Sequence, residues 1–187
     1  MRYSKTHKIE TRAKLIETAR AITKKGGFSS TGVDALMSAV GMTGGAFYSH
    51  FPSKQALFQA VIEDEIRNSA EMLAGGENAS GEQLERCLRD YLSTFHVLHP
   101  EEGCVLPALG GEIARAEPEV RGAVEKGLKQ IQKAWASRVG DSDAAWAIIA
   151  QCVGALILSR AVEKEKTRKE IIASTRRAIE KNHFRQE

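Results

Sequence analysis

The sequence contains little proline, few aromatic residues and few cysteines, and each shortage excludes a class of protein. Four prolines and 6% aromatic residues, beside many helix-forming residues, are typical of a mostly helical chain rather than an all-β one. The three cysteines, Cys87, Cys104 and Cys152, are an odd number at wide spacing, which indicates neither a disulfide framework nor a zinc site. We therefore expect a reducing, cytoplasmic environment.

A long hydrophobic run is missing as well. The longest apolar stretch, 144–158, has about 15 residues and is interrupted by Gln151, whereas a helix that spans a bilayer needs about 20. The segment 1–12 has no apolar core of the kind found in signal peptides. We expect no membrane partner, and 187 residues suit one or two small folded domains.

The charge is divided unevenly along the chain, although the net charge is only +3. Residues 1–60 contain nine Lys and Arg against three Asp and Glu, whereas residues 61–187 contain 18 against 21. A basic first third is typical of a module that meets a polyanion, and an accident of solvated faces is the alternative. We expect Arg12, Lys14, Lys24 and Lys25 on such a solvated face.

Apolar residues recur at helical spacing along the whole chain, and we find neither strand-like alternation nor an internal repeat. The pattern predicts an all-α fold of about nine helices, with an N-terminal three-helix unit and a C-terminal helical bundle. The helices are predicted at 11–25, 30–40, 44–51, 53–73, 82–99, 103–116, 118–138, 144–162 and 167–182, with a loop at 74–81.

Two short helices separated by the turn Val40-Gly41-Met42-Thr43 form a helix-turn-helix candidate. In such a unit the second helix enters the major groove of DNA while a packed partner helix holds it there. Groups that bind phosphate stand beside this segment, namely Thr31, Thr43, Tyr48, His50 and Lys54. Tyr48 and His50 could instead be packing residues of the three-helix unit.

The stretch 11–61 closely resembles the DNA-binding domain of the TetR family of transcriptional repressors. The resemblance rests on TR-xx-LI-xx-A at 11–19, GF at 27–28, GM-T-GG-AFY-S-HF at 41–51 and SK-xx-LF at 53–58. It implies a homodimer that binds an inverted-repeat operator in double-stranded DNA and is released by a small-molecule effector. On this basis 1–52 is expected to bind DNA, helix 53–73 to connect, and 53–187 to bind the effector and dimerise.

The resemblance also implies roles for individual residues. Thr43, Gly45, Ala46 and Ser49 are expected to face the groove, and Thr31, Tyr48, His50 and Lys54 to contact the DNA backbone. The segment 44–46 supplies no long polar side chain. Direct readout of the bases would therefore depend on small side chains, on the tyrosine ring and on contact of an alanine with a thymine methyl. Part of the specificity would come from DNA shape.

The C-terminal helices predict a dimer interface and an effector pocket. Helix 144–162 is apolar nearly all round, and with the last helix it predicts a four-helix bundle between two subunits, a monomer core being the alternative. Residues on inward stripes predict a pocket for an apolar or planar ligand, an ordinary core being the alternative. These residues are Cys87, Tyr91, Phe95, His96, Cys104, Ile131, Trp135, Trp146 and Ile149.

Cys104 supports a further hypothesis, a regulator that senses oxidants or electrophiles. The residue follows Gly103 at the predicted start of a helix, where backbone N–H groups would lower the pKa of the thiol. The Gly-Cys pair is similar to that of family members that sense through cysteine. Glu101 and Glu102 oppose the effect, and a buried, inert cysteine is the alternative.

Metal and enzyme sites are not indicated. His96 and His99 share a helix face with Glu101 and Cys104 nearby, but no recognised ligand spacing is present. No GxSxG, HExxH or GxxxxGK motif occurs, so we predict no catalytic residue, no metal and no cofactor. The open alternatives are an activator of transcription and a ligand-binding or enzymatic bundle with a vestigial helix-turn-helix.

Overall fold

A computed structural model describes residues 5–75 and 79–184 of the chain. Within these ranges it contains nine α-helices and one 3-10 helix and no strand, which confirms the predicted all-α fold. The helices are α1 (Lys5–Gly26), α2 (Val33–Ala39), the 3-10 helix (Gly44–Ser49), α3 (Lys54–Ala74), α4 (Gly81–Tyr91), α5 (Thr94–Leu98), α6 (Val105–Ile113), α7 (Pro118–Val139), α8 (Ser142–Ala161) and α9 (Glu165–His183).

Most helix boundaries follow from local signals in the sequence. The hydroxyl oxygen of Ser53 accepts the Ala56 N–H at the start of α3, and Ser80 does the same for Gln83 at the start of α4. Pro118 occupies the first turn of α7, where a missing N–H costs nothing. Gly140 ends that helix in the left-handed conformation, at φ 74°.

The segment between α3 and α7 differs in part from the helices predicted for it. The single helix expected at 82–99 is wrong: α4 ends at Tyr91, and α5 begins after Ser93, whose hydroxyl oxygen accepts the His96 N–H at 3.2 Å. The short or kinked helix expected at 103–116 is the short helix α6, which begins at Val105 and tolerates Pro107 in its first turn. Positions 76–78 of the predicted loop lie outside the described residues.

The centre of the bundle is the contact between α3 and α7, which run alongside each other. Gly127 of α7 is buried against Ile66 of α3, and a Cβ at this glycine would collide with the isoleucine side chain. Trp135 is fully buried, and its indole N–H donates to the Leu73 carbonyl at 3.1 Å. The two helices are therefore fixed by a close approach near their middle and by a hydrogen bond near their C-terminal ends.

The apolar helix α8 has one face in the core and one face in solvent. Ala145, Ile148, Cys152 and Leu156 are buried against neighbouring helices, whereas Trp146, Ile157 and Leu158 are exposed. By length and composition alone α8 could cross a membrane, although polar residues at both of its ends flank the apolar stretch 144–158. Its packing between α7 and α9 is that of a core helix with an uncovered apolar side.

Candidate nucleic-acid interface

The first three helices form a small unit around a shared apolar core. Leu15 and Ala19 of α1, Leu36 and Met37 of α2, and Phe47 of the 3-10 helix are all completely buried. The chain turns between the last two helices at Gly41, which has φ 75°, and the Met42 N–H closes the turn on the Met37 carbonyl at 2.9 Å. The sequence predicted this turn, and the two helices it joins form the helix-turn-helix.

The second helix of this motif is anchored by one aromatic residue and exposes its other side. Because Phe47 is buried, Thr43, Gly45, Tyr48 and Ser49 are exposed along the outer surface. Ala46 is half-buried beside them. The predicted groove-facing residues are therefore accessible to a partner, fully at Thr43, Gly45 and Ser49 and partly at Ala46.

Hydrogen bonding distinguishes the hydroxyl groups of Thr43 and Ser49 on this surface. Thr43 occupies the N-cap position of the 3-10 helix, but its side chain makes no capping hydrogen bond. The Ser49 hydroxyl donates to the Ala46 carbonyl at 2.7 Å within the helix. The carboxylate of Asp34 occupies the space that a Cβ at Gly44 would need, which explains the small residue there. Thr43 is thus the hydroxyl best placed to meet a base or a phosphate.

The predicted backbone-contact residues differ in accessibility. Tyr48 is 68% exposed and lies edge-on to Phe47, with ring centroids 5.3 Å apart. His50 and Lys54 are half-buried. Thr31 is buried, and its hydroxyl donates to the Gly27 carbonyl at 2.7 Å. The Thr31 N–H also donates within the chain, to the Phe28 carbonyl at 3.2 Å, so a role for Thr31 on DNA requires a rearrangement of this turn.

The basic residues of α1 do not all point to solvent. Arg12 and Lys14 are exposed, and the Arg12 guanidinium lies 4.6 Å from the Phe51 ring centroid. The expectation of a solvated Lys24 is wrong, because its ammonium group is buried in an ion pair with Glu65. The positive charge available to DNA is correspondingly smaller than the sequence count implies.

Most of the predicted effector-binding residues lie in the packed interior. Tyr91, Ile131 and Trp135 are completely buried, and His96, Cys104 and Ile149 are nearly so. Cys87 is half-buried, and burial raises the pKa of its thiol, with the Asp90 carboxylate adding to the effect. Phe95 is 56% exposed and stacks on His99, so its expected inward orientation is wrong. The helix break at Ser93 explains this, because it rotates α5 relative to α4.

Trp146 and Ile149 lie together in a groove of about 510 Å³ on the outside of the bundle. We call this the α6–α8 groove, and the sequence analysis missed its other walls. Gly110 and Gly111, two adjacent small residues after the apolar residues 105–109 of α6, were the available signal. The remaining lining residues are Leu106, Pro107, Ala108, Leu128, Ala150, Val153 and Ile157.

Cys104 occupies the N-cap of α6, as expected, but its surroundings oppose reactivity. The residue is 1% exposed, and burial raises the pKa of its thiol although the hydroxyl groups of Ser69 and Tyr91 act in the opposite direction. Its backbone N–H donates to Nε2 of His96 at 2.8 Å. The expected lowering of the pKa is therefore wrong, and the alternative of a buried cysteine describes this site.

The two histidines expected near a hypothetical metal site are used in other ways. Nδ1 of His96 lies 2.8 Å from the Tyr91 carbonyl, and Nδ1 of His99 lies 3.0 Å from the Phe95 carbonyl. Across the part of the chain that the structure describes, no three His, Cys, Asp or Glu side chains are grouped so that they could hold a metal ion.

The fold and this exposed face define a helical protein with an N-terminal helix-turn-helix. Residues 15–61 match the family model of bacterial regulatory proteins, tetR family. The HTH-type transcriptional repressor NemR of Escherichia coli K12 is 25% identical over 126 residues, which cover 65% of this chain and 63% of that repressor. The N-terminal helix-turn-helix of this chain is therefore similar to that of the tetR family of regulators.

Solved structures share the fold over nearly the whole length. The crystal structure of E. coli NemR in its reduced form has a TM-score of 0.74 and 19% identity, over 92% of this chain and 96% of that one. A TetR transcriptional regulator from Chloroflexus aurantiacus also has a TM-score of 0.74, with 21% identity over 93% and 96% of the two chains. The bundle therefore has the fold of these proteins although its sequence has diverged.

Proposed function

We propose that this protein is a transcriptional regulator that binds an inverted-repeat operator as a homodimer and acts as a repressor. The observation that carries the proposal is the exposed face of the 3-10 helix, with Thr43, Gly45, Tyr48 and Ser49 held outward by the buried Phe47. The name of the relative NemR, a transcriptional repressor, supports the direction of control. In this proposal 1–52 binds DNA, α3 connects, and 53–187 binds the effector and dimerises.

The exposed side of α8 supports the homodimer. Ala147, Gln151, Gly154 and Leu158 follow one another at helical spacing along a face that the monomer leaves partly or fully exposed. Three of these four residues are apolar or small, which allows a close approach of a second helix. On the neighbouring α9, Ala178 is exposed as well. Pairing these faces across a two-fold axis would bury them in a four-helix bundle.

We place the effector in the α6–α8 groove. Its volume of about 510 Å³ falls within the usual range for small-molecule sites, roughly 300–1,000 Å³, and its walls are mainly apolar. Trp146, Ile149 and Val153 lie on a different face of α8 from Leu158, so the groove and the proposed dimer face need not compete. An apolar or planar ligand would fit this lining.

Binding of double-stranded DNA is tested by selection. The wild-type protein would be used to enrich duplexes from a random library. The affinity for the enriched duplex would then be measured by fluorescence anisotropy between about 50 and 200 mM KCl. Over this range a protein that contacts several phosphates loses ~10³-fold in affinity. We expect a repeated half-site spaced by about one turn of DNA and a steep salt dependence. Failure to enrich any sequence, or a flat salt response, would favour the non-DNA alternative.

A matched pair of exposed aromatic residues locates the interface. Tyr48→Ala should weaken binding to the enriched duplex, whereas Phe95→Ala, on the surface of the bundle, should not. Both side chains are more than half exposed, so neither truncation should disturb the core. Equal affinities of the two variants would place the interface elsewhere.

The effector site is tested with the dye 8-anilinonaphthalene-1-sulfonate, whose fluorescence rises in apolar sites. We expect Val153→Glu to reduce the fluorescence enhancement, because a carboxylate in the groove repels the sulfonate of the dye. Gln130→Glu, at an exposed position on α7 that does not line the groove, is the control. A dye response that both variants retain would move the site out of the α6–α8 groove.

A further inference from the structure

Glu112, near the C-terminal end of α6, reaches across to the turn between α1 and α2. Its Oε1 accepts the Phe28 N–H at 2.8 Å. Its Oε2 accepts the Ser29 N–H at 2.8 Å and the Ser29 hydroxyl at 2.6 Å. One side chain of the bundle therefore holds two consecutive residues of the N-terminal unit, from which it is separated by 84 positions in sequence.

The stability of α6 itself does not explain a glutamate at this position. A carboxylate in the last turn of a helix is repelled by the negative end of the helix dipole, and no basic residue in that turn compensates. Burial raises the pKa of Glu112, but the hydrogen bonds from Ser29 and Phe28 and the charge of Lys54 outweigh it and lower the pKa below the usual value. The charged carboxylate is thus stabilised by the contact with the turn.

The turn is shaped to receive this carboxylate. Gly27 has φ 86°, a conformation that favours glycine, and a Cβ there would lie 3.2 Å from Oε1 of Glu112. From the other side, the Lys54 ammonium donates to the Ser29 carbonyl at 3.2 Å and lies 4.7 Å from the Phe28 ring centroid. The turn that leads into α2 is therefore held between α6 and α3.

A second contact joins the opposite end of α6 to the same unit. The Lys24 ammonium of α1 donates to the carbonyl of Gly103, two residues before α6 begins, at 2.8 Å. The nine residues of α6 separate the two contacts by about 13 Å along the helix axis. A unit tied at one point can pivot, whereas a unit tied at both ends of a rigid helix has a fixed orientation.

We infer that Glu112 is a positioning residue for DNA binding: its hydrogen bonds to the α1–α2 turn fix the orientation of the helix-turn-helix on the bundle. In a dimer this orientation sets the distance between the two recognition helices. The inference rests on the proposed function, because it matters only if two such helices bind one DNA duplex.

If Glu112 acted on DNA binding only through its charge, removing it would change the affinity in the opposite direction to the loss of a positioning role. The Glu112 carboxylate lies close enough to Lys54 to interact with its charge, and Lys54 is a predicted phosphate contact. Removing a negative charge near phosphates should by itself strengthen binding to every DNA sequence. A positioning role predicts weaker binding to the selected operator despite that gain.

The test compares Glu112→Gln with Glu117→Gln. Glu117 lines the same surface cleft as Glu112, between the α1–α2 turn and the start of α7, but it is exposed and its side chain makes no capping hydrogen bond. Affinities are measured by anisotropy for the duplex enriched by the wild-type protein and for a random duplex of equal length. We expect Glu112→Gln to bind the enriched duplex about tenfold more weakly, a loss typical of a hydrogen bond to a charged group, and the random duplex equally or more tightly. Glu117→Gln should not weaken either complex.

Hydrogen exchange supplies a readout that does not need DNA. The Phe28 and Ser29 amides should exchange faster in Glu112→Gln than in the wild type, while amides in the centre of α7 should be unchanged. If Glu112→Gln fails to fold, Ser29→Ala removes one of the hydrogen bonds to the carboxylate and should still lower the ratio of operator to random binding several-fold.

The outcomes separate the two proposals. Unchanged affinity of Glu112→Gln for the enriched duplex, or an equal loss for enriched and random DNA, would overturn the positioning role alone. If the wild-type protein enriches no duplex at all, the proposed function and the positioning role both fall.

Discussion

The ammonium nitrogen of Lys24 lies 2.6 Å from Oε2 of Glu65, and both side chains are at least 97% buried. The pair joins α1 to α3, and it is embedded in further polar contacts. The Asn68 amide donates to the other carboxylate oxygen of Glu65 at 3.1 Å, and the guanidinium of Arg20 approaches the same oxygen at 3.4 Å. Together with the bond from Lys24 to Gly103, this network joins three segments that are distant in sequence.

Removing one member of this pair should strongly destabilise the protein. Lys24→Met leaves the Glu65 carboxylate buried without its closest cation, and we expect a loss of about 3–5 kcal/mol in the free energy of unfolding, measured by urea denaturation at fixed protein concentration. Lys25→Met is the control, because Lys25 is 72% exposed and its nearest carboxylate, on Glu101, is 4.0 Å away. Similar losses in the two variants would contradict the importance of burial.

The stability of the protein should fall in mild acid because of His96. Burial, with the positive charges of Arg160 and Lys24, lowers the pKa of this histidine to about 4, although the Tyr91 carbonyl opposes the shift. As the pH falls from 6.5 to 4, the unfolded chain therefore binds a proton that the folded chain does not. We expect this group to remove about 3 kcal/mol over that window and nothing above pH 6.5.

The measurement is the free energy of unfolding as a function of pH. His96→Asn should be less stable at pH 7, since it changes the contacts with Tyr91 and Cys104, but its stability should fall less steeply between pH 6.5 and 4. The partly exposed His99 supplies the control, and His99→Asn should keep the wild-type slope. An unchanged slope in His96→Asn would show that other groups cause the acid sensitivity.

Local features of the sequence predicted the helical fold and its helix-turn-helix. The caps at Ser53 and Ser80, the turn at Gly41 and the burial of Phe47 and Phe51 depend on residues close together in the chain. Such contacts leave a pattern within one or two helical turns, so the all-α fold and the helix-turn-helix could be derived from the residues alone.

The contacts between distant segments left no comparable pattern. Nothing in the sequence distinguishes Lys24 and Glu112 from ordinary surface charges, because the residues that they contact are 79 and 84 positions away. The break before α5 depends on Ser93, one hydroxyl in a segment whose apolar spacing is continuous, and it reversed the expected orientation of Phe95. The α6–α8 groove likewise exists only once three helices are assembled.

Two glycines of α7 should respond in opposite directions to the same substitution. Gly127→Ala gains helix propensity, but the new Cβ collides with Ile66, and we expect a net loss of about 1–2 kcal/mol in unfolding free energy. Gly122 has open space around its Cβ position, and Gly122→Ala should stabilise the protein by up to about 1 kcal/mol. Stabilisation by both substitutions would mean that α3 and α7 can move apart to admit the methyl group without a loss in unfolding free energy.

A charge on the proposed dimer face should separate the subunits. Leu158 is 58% exposed at the end of α8, and Leu158→Arg would bury a guanidinium in the apolar interface of the dimer. We expect sedimentation equilibrium at micromolar concentration to find a dimer for the wild type and a monomer for this variant. Gln130→Arg, on the exposed side of α7, should remain dimeric. A wild-type protein that sediments as a monomer would remove the basis for binding an inverted repeat.

Lys54 should contribute to DNA affinity through its charge rather than through sequence reading. Its ammonium makes one weak hydrogen bond, to the Ser29 carbonyl at 3.2 Å, and two of its three protons are available for phosphate. Lys54→Ala should therefore weaken binding to enriched and random duplexes alike. The slope of log affinity against log salt concentration should become shallower by about one unit.

Lys14→Ala is the matched control for this measurement, because Lys14 is exposed on α1 but is not among the predicted contacts. It should change the salt dependence by much less than one unit, since a cation that touches no phosphate releases few counterions. Lys54 also supports the turn that Glu112 holds, so a loss confined to the enriched duplex would assign it to positioning. An unchanged salt dependence with weaker binding to both duplexes would exclude a direct phosphate contact by Lys54.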